Sequence, residues 1–555
     1  MISNAAEKRT APFLDRSRIR ARNNNRSTVV CQNGIVCASQ PLASTAGIDV
    51  LKAGGNCIDA AICANAMLGL TEPASCGIGG DLFAIVWIEK EKKLFGLNAS
   101  GRAPYAWSLA AANELGLKSI PRKSPLAWSV PGCVSGWQAL SDRFGKIGLA
   151  KCLEAGIHYA MNGFPLSPII SGHFAFNAAE NPTLAKLYHQ NGKRPGYGDI
   201  LKNPLLGKSY QEIAQGGAAA FYEGRIAEQI VAKSNELGGK IAMKDFKDHH
   251  PDWVDPVSAN YRGWDVWEIP PNGQGIAALQ ILNMLETFDI GSLEPNSAEH
   301  LHLFAEAKKL AFEDRAEYYA DPKFADVPVE WLISKEYAKS RAKLIDRRKA
   351  SDSIRFGDPK LDSDTVYLTA ADQEGNMISF IQSNYHGFGS GLVPDEIGFP
   401  IQSRGQAFSL DPKHRNRLEP HKRPFHTIIP AFMTKDGQPV MPFGVMGGDF
   451  QPQGHAQVVM NMIDFGMSPQ QAGDQPRVSH GGSSSPWGAK STDGGELVFE
   501  RGISDSVRLR LAEMGHRVRR GNGAHGGYQA IWRLDNPRRY FGGSDPRKDG
   551  QAIGY

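Results

Sequence analysis

Paired cysteines are missing from this chain. Its seven, Cys31, Cys37, Cys57, Cys63, Cys76, Cys133 and Cys152, are odd in number and all fall in the first third of the 555 residues. None forms a CxxC spacing, which excludes the common zinc patterns. Cys57 and Cys63 lie in or beside an apolar helical segment and read as small buried hydrophobes rather than nucleophiles. An excess of one charge is missing too. The net charge is only +4, and no basic stripe predicts a nucleic-acid partner. The most basic stretch, Lys8 to Arg26, carries no apolar run of signal-peptide length, so residues 1 to about 30 are expected to form a disordered, solvated arm. Elsewhere Gly, Asn or a charge breaks every apolar run before it reaches membrane-spanning length. The expectation is a soluble, cytoplasmic protein with no membrane partner.

Two further absences concern chemistry. Gly77-Ile78-Gly79-Gly80 lacks the GxxxxGK[ST] spacing and leads into a strand rather than a helix, so it is no phosphate loop. His386, His421, His426 and His455 match no ligand spacing, and neither a metal nor a cofactor is expected.

What is present is a turn-rich globular composition, with 60 glycines and 34 prolines, and a length that suits two or three domains. Residues 42–53 and 59–70 read as helices, the second buried. Residues 83–87 and 93–98 read as a hairpin. The middle section, about 135–345, is mostly helical in pattern, interrupted by strand-like residues 257–270 that carry Trp264 and Trp267 as core. Residues 304–315 are its clearest amphipathic helix, with Asp314 and Arg315 on a solvated face. A polar stretch from Asp346 to Asp364 is expected to be mobile. Short strands then follow, over 366–370, 377–382 and 427–433, and a strand ends in the glycine turn Gly447-Gly448 before a helix over about 453–463.

The boundary at Asp364-Thr365 carries the chemistry. A threonine hydroxyl needs an adjacent base, and an N-terminal threonine supplies its own α-amine, whose ordinary pKa lies near 8. Cutting the Asp364–Thr365 bond would expose such a group. Ser383, returning on the second strand of the hairpin, is placed to support the hydroxyl. Gly447 and Gly448 offer consecutive N–H groups for an oxyanion. Taken singly, the glycine pair also reads as an ordinary turn and Ser383 as an ordinary strand residue.

Motifs along most of the chain remove that ambiguity. Pro41-Leu42-Ala43, Gly54-Gly55-Asn56 with Asp59-Ala60-Ala61, Glu72-Pro73 through Gly80 and Pro131-Gly132 come first. Phe221 to Gly224, Pro271-Asn272-Gly273, Asp372 to Asn376, Lys422-Arg423-Pro424, Gly447-Gly448, Pro476-Arg477 and Ser544 to Arg547 follow in order. In these the chain resembles the γ-glutamyltranspeptidase (glutathione hydrolase) family, in a branch with cephalosporin acylase and oxamate amidohydrolase relatives. The resemblance implies an α+β, N-terminal-nucleophile hydrolase fold, an αββα four-layer sandwich self-cleaved into interlocked pieces 1–364 and 365–555. It implies Thr365 as nucleophile and new N-terminus, Ser383 as its supporting hydroxyl, and Gly447 and Gly448 as the oxyanion pair.

The substrate-reading positions depart from the family pattern. Tyr385, Arg404 and Ala407 stand where the transpeptidases carry asparagine, glutamine and aspartate, and His426-Thr427 replaces a serine pair. Arg102 is displaced by two places from the family's carboxylate-gripping arginine. Without the aspartate, a substrate ammonium loses its partner, whereas Arg404 favours a carboxylate-bearing acyl group. The expected substrate is a small-molecule amide, with water or an amine as acyl acceptor. A γ-glutamyl compound, a glutaryl or cephalosporin-type amide and oxamate remain alternatives, as do a catalytically silent relative and any assembly beyond the two pieces.

Overall fold

Period-two alternation sets the architecture. Along Asp81–Ile88 the side chains of Phe83, Ile85 and Trp87 enter one apolar layer and those of Leu82, Ala84 and Val86 another, so the strand is buried on both faces. Asp364–Ala371 repeats the pattern: Tyr367 and Ala371 point one way, Val366, Leu368 and Ala370 the other. In the computed structural model the described residues are 11–14, 26–177, 181–352, 364–488, 490–491, 493–521, 523 and 525–555.

Two seven-stranded sheets result. The first runs, edge to edge, Gln551–Gly554, Ile35–Ala38, Asp364–Ala371, Met377–Tyr385, Asp81–Ile88, Lys93–Ala99 and Asp252–Val254. The second runs Val29–Cys31, Arg539–Ser544, Tyr528–Leu534, Gln438–Val445, Ala431–Lys435, Trp264–Glu268 and Val257–Tyr261. All neighbours in both are antiparallel. Phe83, Tyr367 and Ile381 of the first sheet meet Phe432, Ile531 and Tyr540 of the second in the layer between them.

Helices cover both outer faces. Pro41–Lys52 and Cys57–Thr71 pack on the first sheet. The second of these is buried along its whole length, and a capping box starts it: Asn56 accepts from the Asp59 amide while the Asp59 carboxylate accepts from the Asn56 amide. Gly275–Leu285 and Gln451–Ile463 cover the second sheet, and Ala298–Tyr318 packs on the first of these. The order is the αββα sandwich that the resemblance implies.

Three expectations change. Helix Ala298–Tyr318 is not amphipathic: Arg315 is 1% exposed and Asp314 is buried as well. Strand Val478–Gly481 and helix Asp505–Glu513 pack against it, and its charges find internal partners, Lys309 with Glu306 and Asp314 with Gln280 and Tyr337. The strand expected over 427–433 begins only at Ala431, because side chains hold the preceding backbone: Gln274 donates to the Thr427 carbonyl and Gln451 accepts from the Ile429 amide. In the N-terminal arm, Pro12–Leu14 form a 3-10 turn whose Phe13 packs edge-on against Trp532 and Phe541, and Val29–Cys31 pairs with Arg539–Ser544. The rest of the arm before Arg26, and residues 353–363 of the polar stretch, lie outside the described residues.

All seven cysteines are free thiols. Burial pushes the Cys63 thiol up to about 12 and the Cys31 thiol to about 11, far from nucleophilic. No described helix is long and apolar enough to cross a membrane.

Both sheets contain strands from before and after Asp364, hydrogen-bonded to one another. A chain cut between Asp364 and Thr365 is therefore expected to remain one particle of about the uncut size in native gel filtration, and to separate into two pieces only in denaturant.

Candidate active site

Thr365 has the same parity as Tyr367, and Ser383 the same as Ile381, so both side chains face the gap between the sheets at one end of the sandwich. The pairing steps from Asp364 opposite Tyr385 to Val366 opposite Gln382, so a bulge sets Thr365 against both Ser383 and Asn384. There the Thr365 hydroxyl donates to Ser383 Oγ at 3.3 Å. Ser383 Oγ also accepts from the Tyr385 amide (2.8 Å) and from Arg404 Nη2 (3.5 Å). The amide of Gln451 donates to Thr365 Oγ1 at 3.4 Å and is oriented by the Ile429 N–H on its oxygen. Thr365 and Ser383 are both buried.

The turn after strand Gln438–Val445 is bent by two left-handed glycines, Gly447 at φ 119° and Gly448 at φ 56°. A Cβ on Gly447 would stand 3.2 Å from Gly526 Cα, so other residues fit there poorly. Neither glycine amide donates to a backbone acceptor among the described residues. The buried Gln274 amide bridges this turn to the next loop, donating to the Gly448 carbonyl (2.8 Å) and the Thr427 carbonyl (2.7 Å).

Arg404 is wholly buried and has no carboxylate contact among the described residues. Its Nη1 donates to Thr427 Oγ1 at 2.9 Å, its guanidinium carbon lies 4.1 Å from the Tyr385 ring centre, and its Nε has no hydrogen-bond partner among the described residues. Burial pushes its pKa down, to about 10, which leaves it cationic at neutral pH. Tyr385 itself sits at φ 78°, unusual for an aromatic residue. Ala407 lies on the same short turn, Arg404–Ala407. Thr365, Ser383, Tyr385, Arg404 and Thr427 are thus linked by direct contacts, and Gln274 joins Gly448 to the group.

Residues 43–555 match the family model described as Gamma-glutamyltranspeptidase. The chain belongs to the γ-glutamyltranspeptidase family. Membership makes it an enzyme of that family's hydrolase and transferase chemistry. It is 37% identical, over 95% of its length and 99% of the relative's, to the "Glutathione hydrolase-like YwrD proenzyme" of Bacillus subtilis. It is 33% identical to the "Oxamate amidohydrolase proenzyme" of Klebsiella pneumoniae, covering 95% of this chain and all of that one. Among solved structures, the cephalosporin acylase of Bacillus halodurans superposes with a TM-score of 0.88 at 40% identity, covering 97% of this chain and 98% of that one.

Two residues expected at the substrate site of this family member are engaged elsewhere. Arg102 donates to the His250 carbonyl (3.2 Å) and to Asp252 (3.1 Å), whose carboxylate it shares with Arg423 and Lys323. No contact joins it to Thr365 or Arg404 among the described residues. His426 packs on Phe83, donates from Nε2 to Asp81 (3.0 Å) and accepts the Ile428 amide on Nδ1 (3.3 Å), so neither ring nitrogen is left for a substrate.

Sequence reasoning missed Gln274, Gln451 and the role of Asp81, whose carboxylate accepts from the Gly101 and Gly132 amides, Gln402 and His426. The one available signal was position: Asp81 closes the Gly77–Gly80 run and Gln451 follows the glycine pair by three residues. The four histidines considered as ligands do not converge. The described residues whose ligand atoms do are His302, Glu306 and His516; His302 already bonds to His516 and to the Asp346 carbonyl, and Glu306 to Lys309 and the Ser351 amide.

Burial, then the nearby Arg404 charge, pushes the His426 pKa down to about 3 from its ordinary 6.5. Below about pH 6.5 the unfolded chain binds the proton first, so stability falls as pH drops towards 3. By about pH 4.5 the loss is about 3 kcal/mol. His300, His455 and His516 are depressed likewise and share the window. His426→Gln is expected to lose less stability than the wild type between pH 7 and 4.5, measured by denaturant melts at both values.

Proposed function

We propose that this protein is a self-processing threonine amidohydrolase for small amides whose acyl group carries a carboxylate. In the precursor Thr365 Oγ attacks the carbonyl carbon of Asp364. The peptide C–N bond breaks, its nitrogen takes a proton and becomes the Thr365 α-amine, and water hydrolyses the resulting ester to leave the Asp364 carboxylate. In the processed enzyme the α-amine takes the Thr365 hydroxyl proton as the oxygen attacks a substrate amide, and the Gly447 and Gly448 amides meet the oxyanion. The amine product leaves with that proton, and water or an amine accepts the acyl group from the Thr365 ester.

The observation that carries the substrate class is the buried Arg404 guanidinium, with no carboxylate partner among the described residues, against Thr427 and Ser383 beside Thr365. A buried unpaired cation is costly, and a substrate carboxylate offers the missing charge-assisted hydrogen bonds. An α-ammonium group has no such welcome. Ala407 replaces the family aspartate, and the Asp81 carboxylate is already engaged by four donors. The names of the relatives cover a glutathione hydrolase-like protein, an oxamate amidohydrolase and a cephalosporin acylase, so membership alone does not choose among substrates.

Two tests follow. Intact mass and N-terminal sequencing of wild type should give a smaller piece beginning Thr365-Val366-Tyr367, and Thr365→Ala should stay uncut and inactive; an uncut wild type would refute the nucleophile. In a screen of glutaryl, oxamate, γ-glutamyl and uncharged acyl amides, turnover should favour acyl groups with a carboxylate and no α-amine. Arg404→Gln should raise KM for those substrates roughly 10- to 100-fold while processing continues. Equal turnover of uncharged acyl amides would defeat the carboxylate assignment.

A further inference from the structure

Two adjacent glycines give a flexible turn, yet an oxyanion site accelerates a reaction only when its donors are held in place beforehand. Something must hold Gly447 and Gly448, and the contacts lead to a helix remote in sequence. Arg315 Nη1 donates to Gln274 Oε1 at 2.7 Å and to Asp449 Oδ1, the residue after the glycine pair, at 2.8 Å. Fixing the Gln274 oxygen turns its NH2 towards the Gly448 and Thr427 carbonyls. The guanidinium is itself confined, 3.9 Å from the Phe312 ring centre and 5.5 Å from that of Phe425, with Nη2 at 3.5 Å from the Ser484 carbonyl.

We propose that Arg315 is a positioning residue for the oxyanion site, holding the Gly447–Gly448 turn through Gln274 and Asp449. The inference rests on the threonine-nucleophile reading above. The Asp449 side chain is 44% exposed, and such a half-open ion pair adds little to stability. Its value lies in geometry: one planar nitrogen serves two acceptors, one on each side of the turn. Lysine offers a charge without the plane and is a poor replacement.

The test compares ground-state and tetrahedral ligands on purified, processed protein. Glutarate serves as the ground-state probe and 4-boronobutanoate as the tetrahedral one, since its boron can add Thr365 Oγ. Wild type should bind the boronate far more tightly than glutarate. In Arg315→Lys, boronate affinity and kcat on the best amide of the screen should fall together by about 100-fold, with KM and glutarate affinity within about threefold of wild type. Asp449→Asn should show the same pattern at about tenfold, and it carries the test if Arg315→Lys fails to fold or to cleave itself. Equal losses for both ligands, or an undiminished boronate preference in the variants, would overturn the role of Arg315. No boronate preference in wild type would instead overturn the nucleophile reading on which it rests.

Discussion

The pairing of strand Asp364–Ala371 between Ile35–Ala38 and Met377–Tyr385 governs the rest of the molecule. It places the Asp364–Thr365 bond at the end of a central strand, with neighbours from the earlier and later parts of the sequence on its two sides. A hydroxyl there inherits the rigidity of a seven-stranded sheet, and the bulge opposite Ser383 turns that rigidity into a specific contact. Thr365 and Ser383 thus stand on strands, which suits chemistry that tolerates little misplacement, while Arg404 and Thr427 come from the long connection between Tyr385 and Ala431 and are held by side-chain contacts.

Around Thr365 the polar groups form a connected network rather than a set of pairs. One branch runs through Ser383 and Arg404 to Thr427, and the other through Gln451 to the Ile429 backbone; Gln274 then joins Thr427 to the glycine turn. In a dry interior such a network is stabilising only when its members are satisfied. Among the described residues the member with an unpartnered atom is Arg404, next to the proposed nucleophile. Asp81, another buried charged residue of the region, is saturated with donors and serves the frame.

Much of this was legible in the sequence, for physical reasons. Phe83 to Trp87 and Val366 to Ala370 announce strands because apolar residues fill both faces, and the hairpin that brings Ser383 back to Thr365 follows from the turn at Asp372 to Asn376. What escaped was decided by partners distant in the chain. Arg315 reads as a solvated residue because its helix mixes charge with apolar residues at helical period; only partners distant in the chain, Gln274, Phe425 and Asp449, show the charge turned inward. Arg102 carried a family expectation, but Asp252, 150 residues away, holds it. Gln451 and Gln274 are unremarkable as letters, and their roles exist only once three loops converge.

The interleaving of early and late strands also gives the proposed cut a direction in time. As one chain, the precursor brings its two halves together at a high effective concentration, so assembly of both sheets is an intramolecular event. Once the bond is broken, the same sheets can be rebuilt only by two separate molecules meeting, at a rate that falls with dilution. The folded, processed enzyme would then persist because its unfolding barrier is high, and not because folding and unfolding remain in balance. Hydrolysis of a single peptide bond would convert a refoldable chain into a kinetically trapped one.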